Sequence, residues 1–189
     1  MKIAIGLAGP IRCGKATVGK IIERELNKLG FSVVTHVFSD VLVETQKLWH
    51  LPPGRETLQG ISICMQERFP KCLANAVERR ALGTKEDCVI LDGLRWFNSD
   101  LPVLRRLPNS KLVYIDASAE LRWQRSLRDP QKPDEANATF EQFLARDNAR
   151  TEIEVPLFRD QADAVIDNSK DIDNLEMQIG IFVNLGLNI

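Results

Sequence analysis

Ile3-Ala4-Ile5-Gly6-Leu7-Ala8-Gly9-Pro10-Ile11-Arg12-Cys13-Gly14-Lys15-Ala16-Thr17 is the stretch from which the rest of the chain can be read. Ile3 to Ala8 are apolar or small and stop at Gly9-Pro10, as in a short strand buried on both faces of a parallel sheet. The following residues match G-x-x-x-x-G-K, with Ala16 where the full pattern has Ser or Thr. From Lys15 onward Val18, Ile21, Ile22, Leu26 and Leu29 recur at helical spacing. Lys20, Glu23, Arg24 and Glu25 fill the outer face, and Gly30 supplies the C-cap. A glycine-bearing turn between a buried strand and a helix N-terminus points backbone N–H groups at an anion, and the helix dipole favours negative charge there. Gly9, Arg12, Cys13, Gly14, Lys15, Ala16 and Thr17 are therefore expected to cradle the phosphates of ATP, with Lys15 reaching the outer ones. The plain alternative is a glycine-rich turn with a surface lysine; the flanking strand and helix favour the cradle.

Outward from this loop, strands and helices alternate. A second strand is predicted from Phe31 to Phe38, followed by capping chemistry at Ser39-Asp40 and a helix from Val41 to Trp49. Leu51-Pro52-Pro53-Gly54 breaks that helix, and Arg55 to Arg68 and Pro70 to Ala81 read as two more. Cys88 to Leu91, Lys111 to Ile115 and Ala164 to Ile166 complete the strands. No hairpin-length turn separates them, so right-handed crossovers and a parallel sheet covered on both faces follow. The polar excursion from about Leu121 to Arg159 carries Arg122, Arg125, Arg128, Arg146, Arg150 and Arg159. Within it, Asp129 to Asn137 reads as a mobile flap, and the second of the flanking helices opens on a Thr139-x-x-Gln142 capping box.

Composition narrows the class. The 189 residues suit one compact domain, and 44% hydrophobic with 27% charged residues is ordinary for a folded, soluble chain. Twenty-five Lys and Arg against 26 Asp and Glu leave a net charge of -1, which speaks against nucleic acid or an acidic membrane as partner. Cys13, Cys64, Cys72 and Cys88 form no CxxC pair, and His36 and His50 supply no zinc spacing. Met1-Lys2 lead directly into the first strand and no apolar run is long enough to span a bilayer, so the cytoplasm is the expected location.

The remaining candidates stand where strands end, the edge at which parallel sheets bind ligands. Ala16 has no oxygen for magnesium, so Asp92 and Thr17 are the expected metal-side residues; Asp92 as a turn cap before Gly93-Leu94 is the alternative. Asp40 has two readings of equal weight: a carboxylate that orients or deprotonates an attacking hydroxyl or holds the substrate, or a plain helix cap. Arg95 suits a bidentate clamp on a substrate phosphate, and Arg55 and Gln59, one turn apart, face the same way. Arg125 and Arg128 are expected to bring positive charge to a migrating phosphoryl group, while Arg122 on the same face is left open. Trp49, Trp96 and Trp123 read as core or interface residues, and His36 as structural.

Taken together these residues resemble the P-loop small-molecule kinases, in the group of nucleoside monophosphate and dephospho-coenzyme A kinases. The phage-type deoxynucleoside monophosphate kinases look most similar. Their Gly-Lys-Asp-Thr is matched by Gly14-Lys15-Ala16-Thr17, their Arg-Glu-x-Leu-Gln by Arg55-Glu56-Thr57-Leu58-Gln59, and an Asp-Gly-x-Arg-like turn by Asp92-Gly93-Leu94-Arg95. The resemblance implies a three-layer α/β/α fold with a five-stranded parallel sheet. It also implies a helical substrate-binding region over 40–83, an arginine-bearing helical lid over 121–159, and Asn168 and Ser169 beside the adenine. By the same analogy the chain moves the γ-phosphate of ATP, with Mg2+, to a nucleotide-like small molecule. Dephospho-coenzyme A, or a regulatory nucleotide-binding role with little catalysis, is the alternative.

Overall fold

The computed structural model describes residues 1–130 and 135–187; the 131–134 part of the expected flap lies outside the described residues. In chain order the elements are β1 (Ile3–Ala8), α1 (Lys15–Lys28), β2 (Val33–Val37), α2 (Phe38–Leu48), α3 (Arg55–Arg68), α4 (Cys72–Leu82), β3 (Cys88–Leu94) and α5 (Phe97–Arg106). Then come β4 (Lys111–Asp116), α6 (Ala119–Arg128), α7 (Phe140–Asp147), a 3-10 turn (Val155–Gln161), β5 (Ala164–Asp167) and α8 (Ile172–Ile181), which runs into a π-helical turn at Phe182–Gly186.

The five strands lie in the order β2-β3-β1-β4-β5, and every pair is parallel. Every residue of β1 is buried, as its apolar run requires. Strand alternation then divides the core. Ile3, Ile5 and Leu7 face Val18, Ile22 and Leu26 of α1 and Leu175 and Ile179 of α8. Ala4 and Ala8 face Val77 and Ala81 of α4, Val103 and Leu104 of α5, and Phe158. Burial of each large apolar side chain contributes roughly 1.5–3 kcal/mol, so the two faces together hold the three layers against chain entropy.

Register sets the functional edge. Asp92 lies level with Leu7 on one side and with Val37 on the other, so the loop after β1, the start of α2 and Asp92 share one end of the sheet.

The structure revises several boundaries. β2 is Val33–Val37, and α2 begins at Phe38 rather than Val41. Phe38 is 4% exposed, and its burial turns the strand directly into the helix. Val37 holds the cap position and no side chain caps the helix, so Asp40 falls inside the first turn, where its charge suits the dipole. α4 starts at Cys72 rather than Pro70 because Lys71, at φ 73, holds a left-handed turn before it. β3 runs on to Leu94, which places Asp92 within the strand rather than in a turn. Trp49 is 54% exposed and belongs to no core. The Thr139–Gln142 capping box is present with both hydrogen bonds. Among the described residues no helix is long and apolar enough to cross a membrane.

Candidate active site

The turn between β1 and α1 has the backbone of an anion nest. Gly9 (φ 150), Arg12 (φ 62) and Gly14 (φ 101) all adopt positive φ. Gly14 is needed twice over: its dihedral disfavours any side chain, and an added Cβ would overlap the Asn168 amide group. Arg12 holds its strained conformation through its guanidinium, which donates from Nη2 to the carbonyls of Arg125 (3.1 Å) and Asp129. Lys15 Nζ donates to the carbonyls of Gly9 (2.7 Å) and Pro10 (3.0 Å), so its charge rests inside the loop it is expected to serve. Asn168, which follows β5, donates from Nδ2 to Cys13 O (2.8 Å) and fastens the loop to the far half of the sheet.

Arg122 is the strongest anchor around the loop. At 5% exposure its Nε donates to Ala117 O (3.0 Å), Nη1 to Ile11 O (3.0 Å), and the two Nη groups to both carboxylate oxygens of Asp147 (2.7 Å each). α6, α7, the end of β4 and the loop are thereby joined at one guanidinium. Arg122 is thus structural, while Arg125 and Arg128 from the same helix line the cavity. Arg125 donates from Nη2 to Asn168 O (2.7 Å), its Nη1 is buried with no hydrogen-bond partner among the described residues, and burial draws its pKa down.

That cavity, about 710 Å³, is continuous from the loop to α3 and lies in the size range of small-molecule sites. Arg12, Gly14, Lys15, Ala16 and Thr17 form one wall, with Asn168, Ile172 and Leu175 beside them. Arg55, Gln59, Ser62 and Arg95 form the other. Asp92 lies between the two. Burial pushes its pKa up, against the opposing pull of Lys15 and Arg95, and the Asp40 charge pushes it further.

The second wall is built from opposite charges. Arg95 Nη1 pairs with Glu152 Oε1, and Arg55 lies 3.8 Å from Glu135. Gln59 Nε2 donates to Thr151 Oγ1 (3.3 Å), whose hydroxyl donates on to Glu152 Oε1 (3.3 Å). Behind Arg95, the carboxylate Oδ2 of Asp100 accepts from the amides of Arg95 (2.8 Å) and Trp96 (2.9 Å), and Glu154 Oε2 accepts from Phe97 N (2.9 Å). Burial raises the Asp100 pKa to about 7. These two carboxylates fix the direction in which β3 hands Arg95 to the cavity.

Lys15, Arg12, Gly14, Ala16, Thr17, Arg55, Gln59, Asp92, Arg95, Arg125, Arg128 and Asn168 are thus gathered around one space. Four expected residues are not part of its lining. Asp40 is exposed on the first turn of α2 and reaches the site only through its charge at Asp92. Ser169 is exposed and turned back by its amide bond to Asp167 Oδ1 (3.0 Å); Lys170 and Asp171 reach the wall instead. Gly9 and Cys13 shape the loop from behind, through the carbonyls that receive Lys15 and Asn168. Glu135, Thr151 and Glu152 were not read from sequence, because nothing local marks them: their partners lie far away along the chain.

No protein-family model matches the sequence. A curated relative, a shikimate kinase of Francisella tularensis subsp. novicida, is 27% identical over 186 residues, covering 95% of this chain and 93% of its own. A solved shikimate kinase from Bacteroides thetaiotaomicron superposes with a TM-score of 0.59 at 17% identity, over 94% of each chain. The fold is that of the P-loop small-molecule kinases. A gluconokinase from Sinorhizobium meliloti shares this P-loop kinase fold at a TM-score of 0.53 and 13% identity, over 95% of this chain and 90% of its own. These neighbours support the broad kinase likeness and give none to the narrower one with phage-type deoxynucleoside monophosphate kinases.

Proposed function

We propose that this chain transfers the γ-phosphate of ATP to a hydroxyl of a small anionic acceptor. The observation that carries the reading is the single cavity joining a glycine-loop nest to a wall bearing Arg55, Gln59 and Arg95. A donor site and an acceptor site within one continuous space are what in-line phosphoryl transfer requires. The loop amides and the N-terminus of α1 hold the polyphosphate, and Lys15 exchanges its carbonyl partners for phosphate oxygens. Arg125 and Arg128 add positive charge from α6, and Asn168, Ile172 and Leu175 border the base. Arg55 and Arg95 orient the acceptor, with Gln59 between them and the Thr151 hydroxyl.

The residues present fit magnesium with a reduced donor set. Asp92 offers a carboxylate toward the cavity and Thr17 a hydroxyl, whereas Ala16 offers neither. That suits an ion that keeps several waters and is bound through one or two protein oxygens plus phosphates. Magnesium, when bound, neutralises charge on the transferring group. Ala16 also favours a second reading, in which the chain binds ATP as a regulatory module and turns it over little.

Nucleoside monophosphates, dephospho-coenzyme A, shikimate and gluconate all meet the acceptor description, so the test is a screen of these with ATP and magnesium, read as ADP release. The expected result is release that depends on one acceptor and falls at least ~100-fold in Lys15→Ala, the scale of losing a transition-state charge contact. ADP release indifferent to Lys15→Ala contradicts phosphotransfer at this loop. Tight ATP binding with no acceptor-dependent release selects the regulatory reading.

A further inference from the structure

Glu152 is the residue of the acceptor wall that the proposed chemistry leaves unexplained. Its side chain is only 3% exposed, yet it borders the cavity. Oε1 is engaged by Arg95 and by the Thr151 hydroxyl, whereas Oε2 is buried with no hydrogen-bond partner among the described residues. A buried carboxylate oxygen left unpaired is costly, and at the wall of a ligand cavity the natural donor is the ligand. Charge points the same way. Arg95 is already neutralised by Glu152, Arg55 has Glu135 within 3.8 Å, and Asp92 adds a further carboxylate nearby. A dianionic phosphate brought to Arg95 would meet Glu152 across the same guanidinium, and the like charges repel there.

Resting on the kinase reading of the cavity, we propose that Glu152 determines acceptor choice: Oε2 accepts a hydrogen bond from a hydroxyl or ammonium group of the acceptor, and the carboxylate keeps dianionic phosphate groups away from Arg95. Acceptors that present a donor group at this point are selected, and those that present a phosphate are turned away.

Two variants separate charge from reach. Glu152→Gln removes the charge at constant shape; Glu152→Asp keeps the charge and withdraws it by one methylene. With ADP saturating the loop, inorganic phosphate is titrated by calorimetry. Glu152→Gln is expected to bind it at least ~10-fold more tightly than the native chain, the scale of one charged hydrogen bond gained, and Arg95→Met added to that variant abolishes the gain. Glu152→Asp shows no gain. With shikimate or gluconate as acceptor, both variants are expected to raise acceptor KM on the order of 10- to 100-fold while the KM for ATP stays constant.

Equal phosphate affinity in native and Glu152→Gln chains overturns the proposal, as does an unchanged acceptor KM. Preferred turnover of a deoxynucleoside monophosphate by the native chain also overturns it, while leaving phosphotransfer intact. Failure of the native chain to bind ADP removes the kinase reading itself. If Glu152→Gln does not fold, the acceptor KM of Glu152→Asp decides alone.

Discussion

Removal of Asp147 should test how the phosphate loop is held. In the native chain its two oxygens take both Nη groups of Arg122 at 2.7 Å, and Arg122 is 5% exposed. Asp147→Ala leaves a buried arginine with its charge uncompensated, and breaking such a pair costs about 3–5 kcal/mol. For a chain of 189 residues each kcal/mol moves the melting temperature by about 2–4 °C, so a fall of roughly 6–20 °C is expected by calorimetry. The double variant Arg122→Met/Asp147→Leu replaces the pair by apolar groups and should recover stability to within about 2 kcal/mol of the native chain. ATP affinity should not recover with it, because Arg122→Met removes the bond from Arg122 Nη1 to Ile11 O. The loss of that charged hydrogen bond corresponds to about 10- to 100-fold weaker ATP binding in the double variant. A destabilisation below 1 kcal/mol in Asp147→Ala, or full ATP affinity in the double variant, would refute the claim that this pair anchors the loop.

Two further outcomes follow from the same geometry. Asp100 has an ordinary pKa of 3.8 that burial raises to about 7, so between these values the folded chain holds a proton that the unfolded chain has released. Its contribution to stability is therefore complete below about pH 4, declines as pH rises, and is gone above about pH 7; the total for one such group is about 4 kcal/mol. Asp100→Asn, whose amide oxygen still accepts from the Arg95 and Trp96 amides, should flatten this slope in denaturant titrations at pH 4–7, and an unaltered slope contradicts the assignment. Gly14→Ala places a side chain at φ 101 against Asn168, at a cost of about 1–2 kcal/mol for the left-handed backbone and more for displacing the amide. Its ATP affinity should fall at least ~10-fold while acceptor-side variants leave ATP affinity unchanged; equal ATP binding by Gly14→Ala and the native chain speaks against the nest.

The parts of the fold legible in sequence are those dictated by neighbours in the chain. The apolar run of β1, the glycines at the loop and the helical periodicity after Lys15 act within a few residues, so strand, turn and helix could be read together. Arg55, Gln59, Asp92 and Arg95 were legible because each stands next to a strand end or helix start. The start of α2 was misplaced for the opposite reason. Capping chemistry at Ser39-Asp40 suggested a boundary, but burial of Phe38 outweighed it. Ser169, expected beside the adenine from the family resemblance alone, follows Asn168 in a turn where the pairing of Asn168 with Cys13 O turns Asn168 inward. Glu152 lay beyond sequence reading altogether, since its meaning depends on Arg95, 57 residues earlier.

The central position of β1 has an architectural consequence. Its neighbours on one side, β3 and β2, lead into the segments that carry Arg55, Gln59 and Arg95, and those on the other, β4 and β5, lead to Arg125, Glu152 and Asn168. The two flanks meet at the glycine turn and again across the cavity, where Arg95 pairs with Glu152 and Gln59 donates to Thr151. A change of side chains on the β2–β3 wall therefore requires a matching change in residues 135–152 of the opposite flank, which hold their charged and polar partners.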